Sequence, residues 1–233
     1  MAETITVTAH DGGSFSAYVA RPQGAGPHPA VVVIQEIFGV NAVMRGICDN
    51  LAKEGYIAIC PDLFWRQEPG IQLTDRSEAE WKRAFELFNG FNVDLGVEDL
   101  KSTLAAARSI SGSNGKAGTI GYCLGGKLAF LMATRSDADA NVSYYGVGLD
   151  ALLGEAGGIT KPLLMHIAEK DKFVPPEAQK KILDALLNKS GITLHVYQGV
   201  DHAFARVGGE HYDAAMAETA NDRTRRHLKA HLA

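Results

Sequence analysis

The sequence predicts a three-layer α/β/α protein with a mostly parallel β-sheet and an N-terminal β-hairpin. Three observations carry that expectation. Short, nearly continuous apolar runs recur at 30–34, 56–60, 118–121, 142–145 and 163–167, followed by 193–197. Strands buried on both faces read this way. Segments with helical spacing lie between the runs, and such alternation requires right-handed crossovers that cover both faces of a sheet. The first twenty residues alternate apolar and polar instead, as a half-exposed hairpin does.

In order along the chain, Ile5, Val7 and Ala9 share one face, and Asp11-Gly12-Gly13 supplies the turn into Phe15-Ser16-Ala17-Tyr18-Val19. A Pro/Gly-rich loop over 22–29 leads to the first apolar run. The helix expected at 41–54 presents Val43, Ile47 and Leu51; that at 77–89 presents Trp81, Phe85 and Phe88. The one at 92–110 presents Val93, Val97, Leu100 and Leu104, and further helices are expected at 125–134, 176–188 and 212–231. No repeat, low-complexity tract or long linker interrupts the pattern, so residues 1–233 read as one domain, long enough to bury a pocket.

Composition narrows the function. The formal net charge is −4, with 46% hydrophobic and 21% charged residues, and no basic stripe that would hold nucleic acid. The apolar runs fall far short of the ~20 residues a membrane helix needs. Residues 1–8 are too polar for a secretory signal, which points to the cytoplasm. Three cysteines, Cys48, Cys60 and Cys123, cannot all pair and form no CxxC, so neither a disulfide framework nor a thiol-redox motif is expected.

In a sheet of this kind, chemistry sits in the loops at the carboxyl ends of strands. The sharpest local feature there is Gly121-Tyr122-Cys123-Leu124-Gly125-Gly126, between a strand and a helix. It fits the G-x-[Ser/Cys]-x-G elbow, in which glycines relieve the crowding of a sharp strand-to-helix reversal. The helix N-terminus then faces the thiol, lowering its pKa and offering backbone N–H groups to a developing oxyanion. A buried inert cysteine is the bland alternative. A phosphate-binding loop is the other rival, since Lys127 follows Gly126, but Leu128 stands where a Mg²⁺-binding hydroxyl is required.

An elbow nucleophile expects an acid and then a histidine, in that chain order. Asp171 follows the run at 163–167 and begins an Asp-x-x-Val-Pro turn; Glu169 competes but lies closer to the strand. Among eight histidines, His166 and His195 fall inside strands and read as core residues. His202 instead follows the last strand through Gln198-Gly199-Val200-Asp201, in a loop at the carboxyl edge. Cys123, Asp171 and His202 thus satisfy both order and topology. Cys123 would attack a carbonyl, His202 take its proton and Asp171 fix the imidazole.

These residues, with Gln35-Glu36-Ile37-Phe38-Gly39-Val40-Asn41, Cys60-Pro61-Asp62-Leu63, Tyr144-Tyr145-Gly146-Val147-Gly148 and His202-Ala203-Phe204-Ala205-Arg206, resemble the dienelactone hydrolase family over essentially the whole chain. The resemblance implies the α/β-hydrolase fold. It also implies a cofactor-free, metal-free monomeric enzyme that opens enol lactones derived from (chloro)catechols through a thioester. It gives Glu36 the role of switching the thiol between resting and attacking forms, and the backbone N–H groups of Ile37 and Leu124 the oxyanion hole. Arg206 resembles a substrate-carboxylate binder, and Phe38, Trp81 and Phe85 fall at substrate-binding positions.

The chain departs from the family pattern at two of these. Trp81 stands where the family has a second arginine, and Phe85 where it has an aromatic hydroxyl. The expected function is therefore dienelactone hydrolysis. One alternative is a family esterase or lactonase with a less anionic or larger substrate; the other is a silent hydrolase-fold binding protein. A small-molecule lactone or ester is the only partner expected, with no nucleic acid and no membrane.

Overall fold

A computed structural model describes residues 2–233. The chain divides between Gly118 and Thr119 into two compact units.

The first unit begins with the expected hairpin. β1 (Ala2–Thr8) and β2 (Ser14–Ala20) pair antiparallel with Val7 opposite Phe15. The turn closes through Ala9 N–H donating to the Gly13 carbonyl at 2.8 Å, with Gly12 at φ 88°. β3 (His28–Ile34) and β4 (Ile57–Pro61) are parallel, β4 is antiparallel to β2, and the strand order is β1-β2-β4-β3. Helix α1 (Ala42–Lys53) lies on one face, where Tyr18 Oη donates to Asp49 at 2.7 Å. Phe15 points the other way and stacks on Trp65, whose Nε1 donates to Asp99 of α3 (Val93–Ser109) at 2.8 Å. Residues 15 and 18 alternate across the strand, so α1 and α3 cover opposite faces. Helix α2 (Glu78–Gly90) is capped by Ser77, with Glu80 N–H donating to Ser77 Oγ at 3.3 Å and Ser77 Oγ donating to Glu80 Oε2 at 2.9 Å.

β5 (Ser113–Tyr122) runs across the division. In the second unit it pairs in parallel with β6 (Asn141–Tyr144), followed by β7 (Leu163–Ala168) and β8 (Ile192–Tyr197). Ser143 Oγ donates to the Gly126 carbonyl of α4 (Leu124–Arg135) at 2.8 Å. Its neighbour Tyr144 bonds Thr224 of α6 (Ala214–Leu232) at 2.7 Å, so these helices also lie on opposite faces. α5 (Pro176–Leu186) follows the loop after β7. The expected α/β class, with mostly parallel strands and a hairpin start, is the one adopted. Two short 3₁₀ helices, Leu149–Ala151 and Leu153–Gly158, were not expected. No described helix is long and apolar enough to cross a membrane.

Candidate active site

Cys123 sits at the reversal from β5 into α4, as the residue capping that helix, with φ 57° and ψ −114°. Such a backbone costs a non-glycine residue on the order of 1–3 kcal/mol and persists only where its surroundings enforce it. They do so in two ways. Its N–H donates to the Tyr144 carbonyl at 3.1 Å, and a Cβ on Gly121 would run into the Gly125 carbonyl. A third glycine, Gly126, is needed as well, since a Cβ there would meet the Tyr144 carbonyl and the Gly146 Cα. The Cys123 side chain does not cap α4, so the first amides of the helix, that of Leu124 among them, carry no side-chain cap from it.

Asp171 and His202 are brought together from the loops after β7 and β8. His202 Nδ1 lies 3.0 Å from Asp171 Oδ1 and 2.8 Å from Oδ2, with both side chains buried. Asp171 also accepts the Phe173 amide at 2.9 Å, an Asx turn that folds the loop back on itself. Gln179 of α5 pins the same loop from below through the carbonyls of Ala168, Glu169 and Val174. Glu169, the competing acid, accepts the Gly199 amide at 2.7 Å and is exposed, a role in the β8 turn rather than beside the imidazole.

Burial pushes the His202 imidazole down, but its charge interaction with Cys123 and its hydrogen bonds with Asp171 and Cys123 outweigh it and carry its pKa up to about 10. Nε2 is buried, with no aligned hydrogen-bond partner among the described residues. Cys123 is near enough to raise the ring's pKa both through charge and as a poorly aligned hydrogen-bond partner, a loose arrangement common before substrate binds. Arg206 follows in the same loop and is buried, its amide donating to the Ala203 carbonyl at 2.9 Å.

The remaining predicted residues belong to the first unit. Glu36 and Ile37 are buried just after β3, where Gln35 braces the turn by accepting the Leu63 amide at 3.1 Å. Gly39 takes φ 76°, and a Cβ there would strike the Ile71 carbonyl. Phe38 is buried and meets Trp81 edge-on at 5.1 Å; Trp81 stacks on the half-exposed Phe85 at 5.6 Å. Trp81 is thus the middle of an aromatic ladder and only part-buried. Asp62, just after β4, accepts the amides of Phe64 and Gly70 at 3.1 and 2.7 Å.

The sequence pattern of the dienelactone hydrolase family matches residues 15–232. The chain belongs to the dienelactone hydrolase family. It is accordingly an enzyme, a carboxylic ester hydrolase. A protein of Azospirillum brasilense named "Putative carboxymethylenebutenolidase" is 57% identical over 98% of both chains. The carboxymethylenebutenolidase of Pseudomonas putida is 40% identical, covering 96% of this chain and 94% of that one. Among solved structures, a "Putative Dienelactone Hydrolase" from Klebsiella pneumoniae superposes with a TM-score of 0.87 at 29% identity, over 98% of both chains. Membership of the dienelactone hydrolase family excludes the phosphate-loop reading of residues 121–128. Sequence reasoning did not single out Gly126, Asp201 or the ring of Phe173. For Asp201 a signal existed, an acid directly before the chosen histidine.

Proposed function

We propose that this protein hydrolyses an enol lactone of the dienelactone type, with Cys123 as nucleophile, His202 as its base and Asp171 orienting the imidazole. The observation that carries the reading is the buried His202–Asp171 pair, with Nδ1 shared by both carboxylate oxygens and Nε2 left for the thiol. Similarity to carboxymethylenebutenolidases supports a lactone as the substrate class.

The thiolate sulfur attacks the lactone carbonyl carbon, and the C=O electron pair moves onto oxygen. The Leu124 amide at the start of α4 is suited to receive that charge, with Ile37 as the second donor on the family pattern. Collapse breaks the ring C–O bond and leaves a thioester. The departing oxygen is an enolate, a weakly basic leaving group that takes the proton from His202 and ends as a ketone. Water then attacks the thioester, His202 Nε2 takes its proton, and the C–S bond breaks to return the thiol. One water is consumed. Because the ester is a ring, the leaving group remains tethered to the acyl group until this last step. Glu36 serves as the switch between thiol and thiolate, a role that rests on the family pattern. Arg206, a buried cation, supplies charge for a substrate carboxylate.

One observation favours a second reading of the substrate. Trp81 Nε1 already donates to the Asp75 carbonyl at 3.0 Å. In place of the family's arginine, the chain offers an aromatic face with no donor to spare, which suits a less anionic ester or lactone. A panel of cis- and trans-dienelactone beside neutral p-nitrophenyl esters tests both readings. Cys123→Ala should abolish turnover of all of them, and Cys123→Ser should leave weak activity at most. Wild-type turnover by Cys123→Ala would overturn the mechanism. Absence of turnover of every member of the panel by the native chain would place its substrate outside both readings.

A further inference from the structure

His202 is held by Asp171 at one ring nitrogen only. The torsion that swings an imidazole about its Cβ–Cγ bond is broad. A hydrogen bond at Nδ1 therefore leaves the ring free to rock, and with it the direction of Nε2. Two aromatic rings close that freedom. Tyr145 meets the imidazole at 5.1 Å between centroids and 62° between planes, and Phe173 meets it at 4.8 Å and 73°.

Each ring is put there by its own local backbone. Tyr145 follows β6 with φ 38°, rare for a bulky residue, and its amide donates to the His166 carbonyl at 2.8 Å. Among the described residues only Cys123, Tyr145 and Ala203 combine a side chain with positive φ. One is the candidate nucleophile, one directly follows His202, and the third carries the ring on His202. Phe173 is turned by its own amide bond to Asp171 Oδ1, so the carboxylate that holds Nδ1 also delivers the ring. Phe173 is 48% exposed, one of few large apolar side chains so exposed among the described residues.

We propose that Tyr145 and Phe173 are positioning residues that wall His202 on two sides and keep Nε2 directed at the Cys123 thiol. The inference rests on the proposed role of His202 as base to Cys123. The charged and titratable groups around the ring are Asp171 from the loop after β7, Cys123 from the elbow, Tyr145 just after β6 and Asp201 from its own loop. Lys172 is paired with Asp201.

The test uses Phe173→Ala, Phe173→Tyr and Tyr145→Phe in the full-length protein, with Tm recorded for each. Phe173→Ala should lower kcat roughly 10-fold or more with KM little changed. It should also move the pH midpoint of Cys123 alkylation by iodoacetamide upward, because a rocking imidazole stabilises the thiolate less. Phe173→Tyr and Tyr145→Phe keep the walls and should retain both the rate and the alkylation profile. A Phe173→Ala loss confined to KM, with the alkylation midpoint unmoved, would make Phe173 a substrate contact and overturn the proposal. Unchanged kinetics would do the same. If Cys123→Ala stayed active, the proposed function itself would fail; if it were dead while Phe173→Ala were unaffected, only this inference would.

Discussion

Asp201 and Lys172 are joined twice: the Lys172 amide donates to Asp201 Oδ1 at 3.1 Å, and its ammonium lies 3.0 Å from Oδ2. The same carboxylate accepts the His202 amide at 2.7 Å. One side chain thus clips the loop that bears Asp171 to the loop that bears His202, a single residue away from each.

Asp201→Ala should therefore loosen both partners, lowering kcat several-fold and costing roughly 1–2 kcal/mol of stability at pH 7. Burial works against the Asp201 charge, but hydrogen bonds from His202 and Lys172 and the Lys172 charge hold its pKa below the ordinary carboxylate value. The clip's contribution is present above the unfolded pKa of ~4 and is lost as pH falls through the folded value. Urea unfolding of wild type and Asp201→Ala should differ at pH 7 and converge toward pH 3; an equal gap at both would mean the charge is irrelevant.

The two acids in the loop after β7 should separate in a kinetic comparison. Asp171→Asn would favour the wrong imidazole tautomer and is expected to reduce kcat by ~10³–10⁴, the scale set by serine protease triads. Glu169→Gln should leave kcat within a few-fold, since Glu169 serves the Gly199 amide. The opposite ranking in kcat would reassign the acid.

Gly126→Ala puts a methyl group in the path of the Tyr144 carbonyl and Gly146. Alanine ordinarily gains up to ~1 kcal/mol over glycine inside a helix. Here the expected outcome is a loss of about 1–3 kcal/mol, because both obstacles are backbone. Thermal unfolding decides the sign.

Specificity should respond to Trp81 and Arg206 in opposite directions. Arg206→Ala should cut turnover of anionic lactones ~10- to 150-fold in kcat/KM while leaving neutral esters much less affected. Trp81→Arg should move the preference back toward the carboxylated lactone. Equal losses on both substrate types in Arg206→Ala would show that it does not clamp a carboxylate.

Acid should destabilise the fold through histidines remote from the thiol. Burial holds His166 neutral, well below its ordinary pKa, between Tyr197 at 2.8 Å and Thr224 at 2.9 Å. His227 is lowered to about 4, chiefly by burial and secondarily by His231. The unfolded chain takes up these protons near pH 6.5 and the folded chain does not, so stability falls from there toward each folded value, by up to ~1.4 kcal/mol per unit for each histidine. His166→Gln should flatten the slope of unfolding free energy between pH 6.5 and 5.

The elements were legible because burial imposes periodicity: the helix expected at 92–110 spans Val93–Ser109, and the strand at 163–167 spans Leu163–Ala168. Cys123, Asp171 and His202 could be read because strand ends are where this topology exposes side chains, and the His202–Asp171 pairing followed. Phe173 could not be read in the same way. In Asp171-Lys172-Phe173 nothing marks the phenylalanine, and only the hydrogen bond from its amide to Asp171 turns its ring onto the imidazole. Gly126 was equally hidden, because its obstacle, the Tyr144 carbonyl, comes from a different strand.

The Phe38–Trp81–Phe85 ladder also makes the protein an optical instrument. The chain has two tryptophans, and the other, Trp65, stacks on Phe15 and lies under the Arg66 guanidinium at 4.1 Å. Trp65→Phe would leave the half-buried Trp81 as sole fluorophore, its indole N–H fixed to the Asp75 carbonyl. On the proposed role of Trp81 as a substrate contact, its emission should then shift when a substrate analogue binds, a signal that needs no bond to be broken.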